Sequence, residues 1–597
     1  MLTAATVLTL AHLAYIQSLA RGYYMQYATV PVDRVHQVQG LRGQIVDRVS
    51  RTLVLSVGTV DISASPPLFR SWATHAMRKA GLKIEKPYRQ YEPIRRAAQE
   101  VADDLQLDRM AVLERLCRDT QYVVLAKRLE PGLAARLRAR GIGGLHYQTL
   151  EQRRYPRHFL ASSLLGYCDA DQIPRTGVEY SFRHITEGQR LAVGELQVKG
   201  GMRVAAGQLG QQVRPERGND LVLTLDLAAQ QVAENVLDKC ISISRPDAAS
   251  VVVMNAHNSA IIAMACRPSY DAELVDEPRD VRGPVSLFQR LNRPVTLAEE
   301  PGSIFKFLTI TAALDCGAIT EGTTFHCAGT EPIGGRPLKC WDEYAVRGHG
   351  VVTPSKILEM SCNIGAAKVA LLMGAPRFCK FLTLCGIGQF PNAGFPAETR
   401  GKLIAPQKMK RRDLANCGFG HSVQVSDLQM TAAICAVMNG GVYHQPHIVQ
   451  GYRDPATGQL VEMKRDPGRR VCSKATSDII RKMSQRVVDF GTGKKAAIAN
   501  VAVGGKTATA QLYHNGQPMH GSRDFTMSFV LIAPVDREPD FVVLVTAKRP
   551  QHGLHGADVA APRTSEIARY LLKQPNLFRD DAKPAPQASP SKGQKAA

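Results

Sequence analysis

The sequence predicts an α+β protein of more than one domain. Three observations carry this reading. The chain has 597 residues, too many for a single core. Two apolar hairpin patterns stand far apart: residues 250–255 with 260–265 around a turn at His257-Asn258, and residues 526–533 with 541–546. Helical stretches at 226–238, 304–314, 361–373 and 426–438 precede or separate them.

Taken in order, residues 1–20 are apolar, and a bilayer needs about 20 such residues. Residues 1–22 are therefore expected to form a membrane anchor. A cleavable signal peptide is the rival, but there is no basic leading segment and no A-x-A site. Residues 23–217 form a non-catalytic stem in which short strands at each end flank a helical middle. Residues 97–105 and 109–118 space their apolar side chains helically, and Leu129-Glu130-Pro131 opens a further helix that stops near Gly141. Residues 218–573 form the larger domain, opened by a strand at 221–226. The tail, residues 574–597, is rich in Pro, Ala, Lys and Ser beyond Arg579 and is expected to be disordered.

Composition is that of ordinary globular material, with 44% hydrophobic and 21% charged residues. The net charge of +22 favours solubility and attraction to anionic lipid heads and polymers. No basic-aromatic module accompanies it, so no nucleic-acid partner is expected.

Three short clusters carry chemistry. They are Pro301-Gly302-Ser303-Ile304-Phe305-Lys306, then Ser361-Cys362-Asn363, then Gly504-Gly505-Lys506-Thr507-Ala508-Thr509-Ala510-Gln511. A serine hydroxyl is a weak nucleophile and needs a base within hydrogen-bond reach. Residues three apart on a helix share a face, so a helical 304–314 makes Ser303 and Lys306 neighbours. Lysine acts as a base only if its pKa falls, through desolvation or a nearby positive charge. S-x-x-K alone is common; its ordinary meaning is a helix start with a solvated lysine. Three clusters in the order S-x-x-K, S-x-N, K-T-x-T are a different matter.

Together they resemble the active site of a penicillin-binding protein. The resemblance extends along most of the chain, to the class B, membrane-anchored transpeptidases. Arg42-Gly43-Gln44-Ile45-Val46-Asp47-Arg48 resembles the family's R-G-x-I-x-D-R. Arg154-Tyr155-Pro156 with Leu164-Leu165-Gly166-Tyr167, and Thr176-Gly177-Val178-Glu179-Tyr180, resemble its next elements. Gly418-Phe419-Gly420 and Asn439-Gly440-Gly441 resemble its G-x-G and N-G-G segments.

The resemblance implies a serine β-lactamase-like domain with a central antiparallel sheet flanked by helices, set on an elongated α+β pedestal or dimerisation domain. It implies a peptidoglycan D,D-transpeptidase in which Ser303 is acylated by a stem pentapeptide with loss of D-Ala. Lys306 is then the base, Ser361 a proton relay, Asn363 a holder of the substrate amide and Lys506 a source of positive charge. Thr507 and Thr509 bind substrate, and the N–H groups of Ser303 and Thr509 form the oxyanion hole. The partners it implies are lipid-linked peptidoglycan strands, β-lactams, a membrane glycosyltransferase, and division or elongation proteins. The location is the inner membrane, single-pass, with the catalytic domain on the periplasmic side. S-x-N resembles the septal branch; the loop with Cys340-Trp341 and Gly348-His349-Gly350 also resembles elongation and sporulation branches. A silent scaffold, a penicillin sensor, and a D,D-carboxypeptidase or β-lactamase are the alternatives within the fold.

Two features depart from expectation. Ala508 stands where the family has the glycine of K-T-G. Its methyl is expected to crowd the strand's neighbours or the ligand, with effects on substrate breadth and β-lactam affinity. The second is cysteine usage: thirteen residues, an odd number, in a chain expected outside the cytoplasm. Cys316, Cys379, Cys385 and Cys435 sit in apolar runs and are expected to be buried. Cys327, Cys340, His349 and Cys362 share a glycine-rich stretch. Three thiolates and an imidazole suit a tetrahedral structural zinc, a Cys327–Cys340 disulfide is the rival, and free thiols are the third reading. No cofactor is required for catalysis itself. The Gly491-Thr492-Gly493 turn reads as a simple loop.

Overall fold

The computed structural model describes residues 34–81, 91–197, 203–206, 215–275, 285–341, 344–514, 517–519, 521, 523–553 and 555–578, with a few positions among the first eighteen. The expected anchor lies mostly, and the tail beyond 578 wholly, outside the described residues. The start of the expected disordered tail is corrected: Pro575–Phe578 forms a 3₁₀ turn, because the apolar Phe578 is buried against Phe541. Among the described residues no helix is long and apolar enough to cross a membrane.

The stem is built from β1 (Ile45–Val46), β2 (Thr52–Ala64), α1 (Pro66–Lys79), α2 (Glu92–Leu105), α3 (Arg109–Cys117), β3 (Val123–Leu129), α4 (Pro131–Ala139) and β4 (Leu145–Arg154). The helical middle is as the sequence implies. In α2 the buried Ile94, Ala98, Val101, Ala102 and Leu105 recur at helical spacing, so one face packs on Phe69, Leu116 and Leu137. Asp108 begins α3 by accepting a bond from the Ala111 N–H at 2.7 Å, which satisfies one of the free donors of the first turn. The strands are longer than expected. β2 has thirteen residues and pairs antiparallel with β4 from Leu55↔Arg154 to Ala64↔Leu145.

In the larger domain, β5 (Asp220–Leu223), α5 (Leu227–Ser244), β6 (Ala248–Asn255) and β7 (Ile261–Arg267) precede the helices. These include α6 (Lys306–Asp315), α7 (Pro354–Glu359), α8 (Asn363–Met373) and α9 (Asp427–Met438). After β8 (Val449–Arg453), β9 (Leu460–Glu462) and α10 (Lys474–Asp489) come β10 (Gly504–Gln511), β11 (Phe525–Ala533), β12 (Phe541–Lys548) and α11 (Ala561–Leu571). The expected central sheet is five-stranded, in the order β7–β6–β12–β11–β10, and every pair is antiparallel.

Both faces of this sheet are covered, which is why β6 is buried at every position. Val251, Val253, Val543 and Phe529 meet α5 and α11 on one face. Val252, Met254, Val530 and Leu544 join the helical core on the other. Every residue of α9 from Leu428 to Met438 is buried, so this helix has no polar stripe. Burying one such Val or Leu stabilises by about 1.5–3 kcal/mol. β10 is the edge strand, and its free edge borders the cleft described below.

A second sheet joins stem to catalytic domain. β1 runs parallel to β5, with Ile45↔Leu221 and Val46↔Val222, and the strand order is β9–β8–β5–β1–β2–β3. The stem motifs knot this junction. Arg153 Nε lies 2.7 Å from Glu179 Oε1, and both side chains are within 1% of full burial. Arg153 Nη1 also donates to Gly43 O at 2.7 Å and Ser56 Oγ at 2.9 Å. Asp47 accepts from the Arg51 N–H at 2.7 Å and from the Leu227 N–H at the start of α5. Gly43 is required by contact, because a Cβ there would lie 1.8 Å from Asn219 O.

Candidate active site

The nucleophile turn is not an α-helix. Gly302–Phe305 forms a 3₁₀ turn, and α6 starts only at Lys306. The tighter winding places residues i and i+3 almost in register, which brings Ser303 and Lys306 together more directly than an α-turn does. Gly302 has φ +57, and a Cβ there would lie 3.2 Å from the Ala510 methyl. On the other side a Cβ on Gly420, whose φ is +86, would lie 2.0 Å from Gly302 O. The turn is thus clamped between β10 and the G-x-G segment, with Gly302 N–H donating to Gly420 O at 3.1 Å.

The second cluster is likewise not helical at its first residue. Ser361 has φ +57 and precedes α8, which begins at Asn363. Cys362 is the N-cap, its Sγ accepting from the Gly365 N–H at 3.2 Å. The short α7 delivers this segment, and the buried Glu359 at its end is held by Lys356, Ser355 and Arg486.

Lys306 gathers the site. Its Nζ lies 2.9 Å from Ser303 Oγ, 3.1 Å from Ser361 Oγ, 2.7 Å from Ser361 O and 2.7 Å from Asn363 Oδ1. Ser361 Oγ is 2.9 Å from Ser303 Oγ. Nucleophile, base and relay therefore form a closed triangle of hydrogen bonds, and Asn363 keeps its amide N–H₂ for a ligand. Lys306 is fully buried, and that burial lowers its pKa to about 8. Desolvation is the main cause of this shift, and Lys506 lies close enough for the charges of the two lysines to act on each other. Lys506 is itself fully buried and held well below the usual lysine range, first by burial and then by the charge of Lys306. Its Nζ donates to Thr507 O at 3.2 Å and approaches Thr507 Oγ1 at 3.4 Å.

Thr507 and Thr509 lie on β10 beside the turn. Thr509 is exposed, and its Oγ1 accepts from the Gly556 N–H at 3.4 Å. Ala508 is buried at 2% exposure, and its methyl lies 3.5 Å from where a Gly302 Cβ would sit. It packs under the nucleophile turn. Of the two expected contacts, the structure shows the one with a neighbour, Gly302.

Cys327, Cys340, His349 and Cys362 converge, with ligand atoms all within 4.8 Å of one another. The lobe that brings them pairs Phe325–Cys327 with Gly350–Val352, and Gly348 is forced because a Cβ would lie 2.1 Å from Cys327 O. His349 Nδ1 faces Cys327 Sγ at 3.6 Å and Cys340 Sγ at 3.5 Å, while its ring stacks on Tyr344 at 3.9 Å. Burial lowers the His349 pKa, against the pull of Cys340. Cys340 is pulled to about 4, by a hydrogen bond from Cys362 above all, then by the Asn363 N–H and the charge of Lys306. Cys362 is pushed up by the same bond, so the pair shares one proton. All thirteen thiols are free. Cys379, Cys385 and Cys435 are buried as expected, but Cys316 is exposed because it caps the solvent end of α6.

Sequence reasoning passed over Thr492. Its Oγ1 lies 2.9 Å from Thr507 Oγ1, and its N–H donates to Glu359 O at 3.2 Å.

Comparison with known proteins agrees with this geometry. The description "Penicillin binding protein transpeptidase domain" matches residues 249–569, and "Penicillin-binding Protein dimerisation domain" matches residues 37–191. The chain belongs to the class B penicillin-binding proteins. It is 30% identical to Stage V sporulation protein D of Bacillus subtilis over 445 residues, 74% of this chain and 67% of that one. It is 28% identical to the probable peptidoglycan D,D-transpeptidase PenA of Neisseria gonorrhoeae, covering 92% of this chain and 88% of that one. The crystal structure of penicillin-binding protein 2X from Streptococcus thermophilus superposes with a TM-score of 0.75 at 20% identity, covering 91% of this chain and 81% of that one. The transpeptidase match falls inside 218–573, and the dimerisation match inside 23–217.

Proposed function

We infer that the chain is a serine D,D-transpeptidase of peptidoglycan synthesis that also binds β-lactams covalently. The observation that carries this is the closed triangle of Ser303, Lys306 and Ser361 around a desolvated lysine. Ser303 Oγ attacks the carbonyl carbon of the D-Ala–D-Ala peptide bond while its proton passes to neutral Lys306. The oxyanion is held by the N–H groups of Ser303 and Thr509. The proton moves through Ser361 to the departing nitrogen of the terminal D-Ala, leaving an ester on Ser303. An amine of a neighbouring strand then attacks that ester, returns its proton by the same route and completes the cross-link. Asn363 supports the substrate amide, and Lys506 and Thr507 face its carboxylate.

The activity belongs on the outer face of the inner membrane, with residues 1–22 as a single-pass anchor. Division is the favoured setting, with a membrane glycosyltransferase supplying the strands. Support comes from the S-x-N cluster and from the positive charge of the chain. The test of the activity is Ser303→Ala. Labelled penicillin should no longer attach, while the melting temperature stays that of the parent. Labelling of the alanine variant at the parent's rate would refute the nucleophile.

We propose further that Cys327, Cys340, His349 and Cys362 hold one zinc ion. The donor set suits it: three thiols and an imidazole with Nδ1 turned toward two sulfurs, all four buried or half-buried and within 4.8 Å of one another. The ion would tie Cys362 to the lobe and so fix Ser361 and Asn363 on either side of it. Freshly purified protein should carry about one zinc per chain. No zinc, together with two fewer titratable thiols than the sequence holds, would replace the metal with a disulfide.

A further inference from the structure

The turn Gly491-Thr492-Gly493 joins the two walls of the catalytic cleft. On one side the Thr492 N–H donates to Glu359 O, at the end of the helix that delivers Ser361. On the other, Thr492 Oγ1 lies 2.9 Å from Thr507 Oγ1 on the edge strand. The flanking glycines let the turn enter. A Cβ on Gly491 would lie 2.5 Å from Glu359 O, and one on Gly493 would lie 3.2 Å from Val487 O and 3.4 Å from the Phe529 ring.

The hydroxyl geometry has a consequence for ligand binding. Thr507 Oγ1 owns one proton and two lone pairs. Lys506 Nζ approaches one of those lone pairs as a donor at 3.4 Å. A hydroxyl at 2.9 Å can fill the other. When Thr492 donates, both lone pairs of Thr507 are occupied and its own proton is left free for a further partner. A free O–H beside the nucleophile turn is a donor for an anion. Both the terminal D-Ala of a stem peptide and a penicillin carry a carboxylate next to the bond that Ser303 attacks.

We propose that Thr492 is a positioning residue for carboxylate recognition: it orients the Thr507 hydroxyl so that its proton faces the carboxylate of the substrate or of a β-lactam. Thr492 acts through Thr507 and takes no part in the acyl transfer. The proposal rests on the transpeptidase reading above, and the parent protein's own acylation in the same assay tests that reading separately.

The experiment uses the full chain and two probes that differ only in charge, benzylpenicillin and its methyl ester. Thr492→Val keeps the shape and removes the hydroxyl; Thr492→Ala removes more; Thr492→Ser keeps the donor. The valine and alanine variants should acylate about fivefold more slowly with the acid, the worth of one lost neutral hydrogen bond. With the ester their rates should match the parent's, and the serine variant should match it with both probes. Melting temperatures should be unchanged. Equal losses with acid and ester, or no loss with either, would overturn the proposal. So would unfolding of both truncated variants, because Thr492 would then be a structural brace alone.

Discussion

Two buried cations show what distinguishes structural from catalytic charge in this molecule. Arg153, at the junction of stem and catalytic domain, is fully enclosed with Glu179 at 2.7 Å and with Gly43 O and Ser56 Oγ as further acceptors. Lys306, in the cleft, is as deeply enclosed but meets only neutral oxygens. Arg153 keeps its proton: despite burial its pKa is raised, because Glu179 faces it. Lys306 has no carboxylate against it; the Cys340 and Cys362 sulfurs raise its pKa less than burial lowers it, and it falls to about 8. The same burial therefore gives a fixed joint in one place and a proton acceptor in the other. Arginine's higher intrinsic basicity and the Glu179 carboxylate against it make the difference.

The contrast gives ways to break it. Removing the counter-charge from the joint should convert Arg153 into a cost. Glu179→Ala leaves a buried guanidinium unpaired, and chemical denaturation should show a loss of about 3–5 kcal/mol. A loss below about 1 kcal/mol would mean that Gly43 O and Ser56 Oγ suffice without the ion pair. The smallest expected effect concerns Ala508, whose methyl props the nucleophile turn from behind. Ala508→Gly should cost stability by about 1 kcal/mol, from lost burial and added chain freedom. Acylation should change by the same factor for small and bulky β-lactams, since the methyl faces Gly302. A gain confined to bulky β-lactams would place the methyl in the ligand's path instead.

Much of this site was legible in the sequence because its chemistry is local. Ser303 and Lys306 are three residues apart, Ser361 and Asn363 two, and Lys506 to Thr509 lie on one strand. The hairpins and helices of the catalytic domain were legible from apolar runs, and α2 and α3 from helical spacing. What was missed depends on contacts between distant segments. Thr492 sits in a glycine turn with nothing local to mark it, and its partners are Thr507 and Glu359. Ala508 could be flagged by composition, but the direction of its methyl depends on how β10 faces Gly302. The start of α6 at Lys306 and the positive φ of Ser361 are set by clamping against β10 and Gly420 and by the Cys362 cap, which no periodicity encodes. The Arg153–Glu179 pair joins the residue just before one recognised motif to a second motif, with no sign in the sequence that they meet.

Lys306 is a base because burial outweighs the pull of the neighbouring Cys340 and Cys362 sulfurs, and one variant tests this directly. The lysine's lowered pKa means that the folded state binds fewer protons than the unfolded state between about 8 and 10.5. Its burial therefore costs stability below about pH 8, and the cost fades as pH rises through that window. Lys306→Met removes the charge and keeps the bulk. At pH 7 it should abolish penicillin acylation while leaving the chain as stable as the parent or more so. The parent's excess instability should vanish toward pH 10, and its acylation rate should climb with pH to a plateau above about 8. A methionine variant that is less stable than the parent at pH 7, or that still acylates at the parent's rate, would contradict the account.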